Sequence, residues 1–163
     1  MNHRPGTPHS LATVIPALVA VFGLLAGLYY SLRYGSWAME TDASSMTASA
    51  LGMINSGKLL YEQAYNNGFA YPAQLAFTSL ASGLDVRQIQ LFSSLWVFVV
   101  ALTAFISYRE FLRSSAAAAM GVLLLFLQPD FLFYIVRGSH EKYIWALALL
   151  MLFLLARSFN YLH

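Results

Sequence analysis

LATVIPALVAVFGLLAGLYYSL, residues 11–32, is a stretch of 22 residues without a single charge. As an α-helix it would extend about 33 Å, at about 1.5 Å per residue, which matches the hydrocarbon thickness of a bilayer. A cleaved signal peptide has a shorter apolar segment of about 7–15 residues. Tyr29 and Tyr30, followed by Arg33, are typical of a membrane–water interface. The stretch is therefore predicted to be an uncleaved transmembrane helix.

The composition of the whole chain agrees with this interpretation. Its 163 residues are 59% hydrophobic and 10% charged, with a mean hydropathy of +0.61. Soluble domains average about 45–50% apolar and about 25% charged residues, and one of this length could not bury so much apolar surface in one core. The composition argues against a soluble enzyme, a disordered segment and a disulfide-stabilised secreted module. It predicts an all-α, polytopic integral membrane protein.

Three further apolar segments complete a predicted single membrane domain of four spans over residues 1–163. They cover residues 88–108, residues 115–128 or 115–136, and residues 143–156. The third segment is ambiguous because Gln128, Pro129 and Asp130 interrupt it. An aspartate deep in lipid costs about 2.5–3.5 kcal/mol on insertion scales, which favours a helix that stops at Gln128.

The loop between the first two spans, residues 33–87, is the polar part of the chain. Apolar residues recur at helical spacing over residues 43–56, before Gly57, and over residues 72–82, before Gly83. Both segments are amphipathic and too short to span, so they are predicted to lie on the membrane surface. Net charge favours a cytoplasmic N-terminus, because the predicted cytoplasmic flanks carry four arginines and one acidic residue, Glu110. The number of basic residues alone does not favour this orientation.

Two polar clusters on the outer side are candidate sites. In the first, Glu40 and Asp42 follow the first span, and such a carboxylate pair can bind a divalent cation or act as a general base. A structural interpretation is also open, in which Asp42 caps the helix that begins at Ala43 and Glu40 is solvated.

The second cluster lies between the third and fourth predicted spans. Arg137, His140, Glu141 and Lys142 are its polar residues. Arg137 or Lys142 could neutralise a phosphate on a lipid-linked substrate held in a cleft between the two clusters. The structural alternative is that Arg137 and Lys142 anchor the chain at the interface, with His140 and Glu141 solvated between them.

The order of these motifs resembles the N-terminal part of the GT-C superfamily, polytopic glycosyltransferases that use polyprenyl-phosphate sugars. The resemblance rests on the acidic residue Asp42, on ASALGMINSGKLLY at residues 48–61, on FAYP at residues 69–72 and on RGSHE at residues 137–141. The last motif is similar to the Arg-Gly-x-x-Glu turn of GPI mannosyltransferase-like members. Together the motifs extend over about residues 12–156.

The resemblance implies a function and a set of site residues. Asp42 would be the general base, and Glu40 would support it. Alternatively, Glu40 and Asp42 together would hold a divalent cation. Substrate-binding residues would be Arg137, His140, Glu141, Lys142, Tyr61 and Tyr71. The partners would be the lipid bilayer, the polyprenyl-phosphate sugar donor and the further spans of such an enzyme, in the same or a second membrane chain.

Two other functions stay open at this stage. One is a small non-enzymatic membrane scaffold or subunit, and the other is a transport element with Asp130 as its intramembrane ionisable group. A nucleic-acid partner is not expected, because the net charge of +2 is spread along the chain without a basic cluster. The chain has no cysteine, and its four histidines include no pair at helical i, i+4 spacing, so a thiolate or histidine metal site is not expected.

Overall fold

The computed structural model describes residues 9–34, 41–59, 68–137 and 140–161. Over these residues the chain is all-helical and contains no strand. The helices are α1 (His9–Tyr34), α2 (Thr41–Ser56), α3 (Ala70–Ser82), α4 (Val86–Ser93), α5 (Trp96–Leu112), α6 (Ser115–Phe126), α7 (Pro129–Val136) and α8 (Glu141–Tyr161).

Two helical segments are long and apolar enough to cross a membrane. They are Val86–Leu112, in which α4 continues into α5, and Glu141–Phe159 within α8. A third is obtained if α6 and α7 count together as one broken span. The all-α class predicted from the sequence is thus confirmed for the described residues, and the two long apolar helices support the predicted membrane character. The count of four spans stays a prediction, as does the placement of α2 and α3 on a membrane surface.

The third apolar segment is broken at the position where the sequence favoured a stop. Helix α6 ends at Phe126, α7 begins at Pro129, and the two axes differ by 84°. Proline has no N–H to continue the helix, but it is well accommodated in the first turn of a new one. The segment therefore forms two helices, and whether it spans over residues 115–128 or, with a kink at the proline, over residues 115–136 stays a prediction.

Helix α5 is the centre of the main bundle, with α1, α6 and α8 around it. Its buried residues pack with those of its neighbours in one apolar core, which includes Val97, Ala101 and Phe105 of α5. The Ser107 hydroxyl donates a hydrogen bond to the carbonyl of Leu149 in α8. Such a bond between helices satisfies a hydroxyl that lipid cannot.

Two glycines allow α1 to approach α5 closely. A Cβ atom at Gly23 would lie 2.7 Å from the Cβ of Ala101, and one at Gly27 would lie 2.5 Å from the carbonyl oxygen of Ser94. This is the small-xxx-small packing typical of membrane helices. The contacts also show that α1 and α5 run antiparallel, because residue 23 faces residue 101 whereas residue 27 faces residue 94.

A second apolar core joins α2, α3 and α4. It contains Met46, Ala50, Leu75 and Val86 among its buried residues. The side chain of Gln90 adds a polar link, because its Nε2 donates to the carbonyl of Ala43 at 3.1 Å and its Oε1 accepts from the Thr47 hydroxyl at 2.9 Å. The two short helices therefore pack on one another and on α4.

Several helix boundaries differ from those expected from the sequence. Helix α2 begins at Thr41 and α3 at Ala70, each two residues early, and α8 continues past residue 156 to Tyr161. Helix α4 begins at Val86 because Asp85 caps it: the Asp85 carboxylate accepts from the N–H of Arg87 at 2.7 Å, and Gln88 Oε1 accepts from the N–H of Asp85 at 3.0 Å. This capping box was not recognised in the sequence.

Candidate functional site

One ion pair connects two distant parts of the chain. The guanidinium of Arg137, at the end of α7, contacts the carboxylate of Asp42, in the first turn of α2. The sequence placed these residues in two loops on one side of the membrane, and the structure brings them into contact at one end of the bundle. We call this end, where α2 lies beside the start of α8, the α2 end.

The guanidinium of Arg137 has further neighbours. Its Nη1 lies 3.6 Å from Glu141 Oε1, and its central carbon lies 5.1 Å from the ring centre of Phe133 and 5.7 Å from that of Tyr134. The Arg137 side chain is only 11% exposed. The cation is thus shared between two carboxylates and two aromatic faces, an arrangement that a planar guanidinium suits better than an ammonium.

The position of Asp42 differs from the structural interpretation of the sequence. Since α2 begins at Thr41, Asp42 lies inside the first turn and does not precede the helix as its cap. A carboxylate in a first turn still benefits from the positive end of the helix dipole. Its side chain is 26% exposed, so the carboxylate is accessible from outside the fold as well as paired with Arg137.

Lys142 is the residue whose environment departs most from expectation. Its side chain is completely buried, which does not fit the role of an anchor at the membrane interface. Its ammonium donates a hydrogen bond to the Ser93 hydroxyl at 2.9 Å. Ser93 in turn donates to the carbonyl of Gln90 at 2.6 Å. The first turn of α8 is therefore attached to the end of α4 through a buried polar chain, as buried charge requires.

A cleft of about 220 Å³ opens at the same end, between α2, α3 and α8. We call it the tyrosine cleft; its lining includes Met46, Tyr71, Gln74, His140 and Tyr143. The ring of Tyr71 lies 5.8 Å from that of Tyr143 and 6.4 Å from that of His140. Met46 lies one helical turn after Asp42, on the same face of α2. The ion pair and the cleft are thus neighbours.

The hydroxyl of Tyr71 is buried and has no hydrogen-bond partner within the described residues. Burial is the main cause that raises the pKa of this hydroxyl above its ordinary value, and the neighbouring Tyr143 raises that pKa further, whereas the nearby side chain of Ser93 lowers it. The group is therefore a neutral donor at physiological pH. A buried polar group without a partner is uncommon in folded proteins.

The predicted site residues thus fall into three groups. Asp42, Arg137 and Glu141 meet in one ion-pair cluster, and Tyr71 and His140 lie together in the tyrosine cleft. Lys142 lies behind the surface on Ser93. Glu40 and Tyr61 lie outside the described residues, so only Asp42 of the proposed Glu40–Asp42 cation site is described. Within the described part of the chain, no three side chains of the metal-ligating types come together.

Sequence reasoning missed two residues of this region, Ser93 and Tyr143. The sequence places Ser93 inside a predicted span, where a serine alone indicates no function. Its role is visible only from its hydrogen bond with Lys142. Tyr143 contacts both Tyr71 and Trp96 by its ring. Its position beside a Lys at the start of an apolar helix was a usable signal, since tyrosines are frequent where one end of a helix meets water.

Comparisons with protein-family models, with curated proteins and with solved structures find no match to this chain. The resemblance to the GT-C superfamily accordingly stays a prediction carried by the motifs quoted above.

We expect Arg137→Met to loosen α2 and α3 without unfolding the main bundle. The substitution removes the cation between Asp42 and Glu141, at a cost of about 1–2 kcal/mol, between the values for exposed and for buried ion pairs. Amide hydrogen exchange should accelerate in residues 41–59 and 68–82 and stay unchanged in α5. Lys58→Met, which removes an exposed cation after α2, is the control; equal acceleration in both variants would contradict a specific role for Arg137.

Proposed function

We propose that this chain is the N-terminal membrane part of a glycosyltransferase that takes its sugar from a polyprenyl-phosphate donor. In this proposal α1 is the first of four spans, the N-terminus is cytoplasmic, and the α2 end faces outward with α2 and α3 at the membrane surface. The further spans that the GT-C resemblance implies enclose the lipid of the donor.

The observation that supports the proposal best is the contact between Asp42 and Arg137, which are 95 residues apart in the chain. A base and a phosphate-binding cation are the two charges that transfer from a sugar phosphate requires. In the absence of substrate the carboxylate and the guanidinium pair with each other, so neither charge is left unpaired and both lie at the proposed site. The adjacent tyrosine cleft supplies room for the sugar.

The proposed reaction is a direct displacement at the anomeric carbon. Asp42 accepts the proton of an acceptor hydroxyl, and the hydroxyl oxygen forms a bond to the anomeric carbon. The bond between that carbon and the donor phosphate oxygen breaks, and polyprenyl phosphate leaves with the electron pair. Because this leaving group is a stable phosphate anion, little acid assistance is needed.

Arg137 has a second role on the donor side. The donor phosphate competes with Asp42 for the guanidinium, because phosphate and carboxylate both accept its paired N–H donors. Donor binding would thereby free Asp42 to act as the base. The tyrosine cleft, at about 220 Å³, is smaller than the usual range of about 300–1,000 Å³ for drug-sized ligands, which suits a single sugar unit. The ring of Tyr71, which lines this cleft, would pack against the sugar there.

The proposal is tested by donor turnover. Membranes that contain the full-length protein, incubated with polyprenyl-phosphate mannose labelled in its lipid, are expected to release labelled polyprenyl phosphate faster than membranes without the protein. A nucleotide-linked mannose in place of the lipid donor should give no protein-dependent sugar transfer. Glucose- and arabinose-linked donors extend the test if mannose is not the sugar. No protein-dependent turnover of any of these lipid donors would contradict the proposal.

A second candidate, a non-enzymatic scaffold or subunit, is favoured by the environment of Arg137. Its guanidinium contacts two carboxylates and two rings, which is also what a purely structural link between α2 and α8 would show. This candidate predicts that Arg137→Met changes stability alone. The transport alternative would use Asp130, which is exposed in the first turn of α7.

A further inference from the structure

A second polar cleft lies at the other end of the bundle, between the C-terminal parts of α5 and α8. We call it the arginine cleft; its volume is about 460 Å³, and it is lined by Ile106, Arg109, Glu110, Arg113, Phe153 and Arg157. Three guanidinium groups therefore face one carboxylate. None of these residues has a part in the proposed sugar transfer. The arginines are the positive flanks that favour a cytoplasmic N-terminus, and their convergence on one cleft is a separate property that such flanks do not require.

Ordinary structural roles account for only part of this charge. Arg109 lies in the last turn of α5, where a cation interacts favourably with the negative end of the helix dipole. Arg157 lies before the last turn of α8, which contains no basic residue, so this interaction with the helix dipole does not explain its position. Its guanidinium lies 5.8 Å from the ring centre of Phe153, which holds the charge at the cleft.

The backbone at Arg113 adopts a conformation that is unusual for an arginine. Arg113 ends α5 with φ of 54°, in the left-handed region where glycine is the favoured residue. Its ion pair with Glu110, at 3.8 Å and with the arginine side chain 65% exposed, is too weak to offset that strain. The chain therefore carries a long cation at a position where glycine would be favoured, and strained positions of this kind are frequent at ligand sites.

The location of the cleft indicates the class of ligand. The two segments that are long enough to cross a membrane, Val86–Leu112 and Glu141–Phe159, both end here. The arginines therefore lie at the level of the lipid headgroups, and Ile106 and Phe153 lie about one turn farther toward the middle of the helices. Such an arrangement offers cations to a phosphate and an apolar wall to the chain attached to it.

We propose that the arginine cleft binds the phosphate of an anionic phospholipid headgroup. A free phosphate ion shares this chemistry, but it would make no use of the apolar wall. The site is independent of the sugar-transfer proposal, since it lies at the opposite end of the bundle and involves other residues.

Lipid retention by the purified full-length protein tests this proposal. The protein in neutral detergent is titrated with phosphatidylglycerol, and bound lipid is counted by native mass spectrometry. We expect one saturable phosphatidylglycerol site and no matching retention of phosphatidylcholine with the same acyl chains. Equal retention of the two lipids would overturn the proposal. Displacement of phosphatidylglycerol by an equal concentration of inorganic phosphate would overturn the assignment to a lipid.

Three variants separate binding from folding. Arg113→Gly relieves the strained backbone, so it should raise the melting temperature and weaken phosphatidylglycerol binding about fivefold, the effect of one surface cation. Arg157→Gln should weaken binding by the same factor. Glu110→Gln removes the carboxylate from the cleft and should tighten binding about fivefold, which no misfolded protein would do.

The matched control is Arg87→Gln, which removes an exposed arginine at the start of the same helical segment, at the α2 end. Its affinity for phosphatidylglycerol should equal that of the unchanged protein. An equal loss of affinity in Arg87→Gln and Arg157→Gln would show attraction to the net charge of the protein and would overturn the site. Unchanged affinity in both Arg113→Gly and Arg157→Gln would do the same.

Discussion

Gly27→Leu is expected to destroy the packing of α1 against α5. A Cβ atom at this position would lie 2.5 Å from the carbonyl oxygen of Ser94, 3.3 Å from its carbonyl carbon and 3.5 Å from the Cα of Leu95. All three atoms belong to backbone, so no side chain can rotate away, and α1 must move as a unit. We expect the substitution to cost about 3 kcal/mol, the upper part of the usual range for overpacking.

Thermal unfolding in a mild detergent, with limited proteolysis of α1, measures this effect. Gly27→Ala should show a smaller loss in the same direction, because it adds the clashing Cβ atom and nothing beyond it. Ala17→Leu is the control, since it adds the same kind of bulk to an exposed position of the same helix. A melting temperature for Gly27→Leu equal to that of Ala17→Leu would show that α1 does not pack on α5 through this glycine.

The contact at Gly27 also illustrates what the sequence could and could not predict. Its spacing from Gly23 indicates that some helix can approach closely, because the property belongs to α1 alone. The partner is a property of the bundle, and nothing in the sequence near Ser94 or Ala101 distinguishes α5 from the other apolar helices. The apolar segments were therefore predictable, and the pairing of α1 with α5 was not.

The two polar clusters show the same limit. That Asp42 and Arg137 share one side of the membrane follows from counting predicted spans between them. That their side chains meet depends on the tilt of α2 and on the 84° bend before α7, which sequence patterns do not specify. Lys142 shows the opposite error: a lysine next to an apolar helix is typical of an interface, and its burial depends on Ser93 of a distant helix.

Asp42→Asn should reduce donor turnover by about 10²–10⁴-fold, the usual contribution of a general base. The amide oxygen of asparagine can still accept a hydrogen bond from Arg137, so α2 should stay attached to α7. The amide has no basic site for the acceptor proton at neutral pH. We therefore expect a large loss of polyprenyl phosphate release with unchanged expression and little change in melting temperature.

The control for this prediction is Asp130→Asn, the same chemical change in an exposed residue at the start of α7. Under the glycosyltransferase proposal it should leave turnover unchanged, whereas the transport alternative predicts that it matters more than Asp42→Asn. Turnover by Asp42→Asn within threefold of the unchanged protein would contradict the assignment of Asp42 as the base.

Arg137→Lys tests the other residue of the ion pair. A lysine keeps the charge but not the paired N–H donors, so the substitution should weaken donor binding and raise the KM more than it lowers kcat.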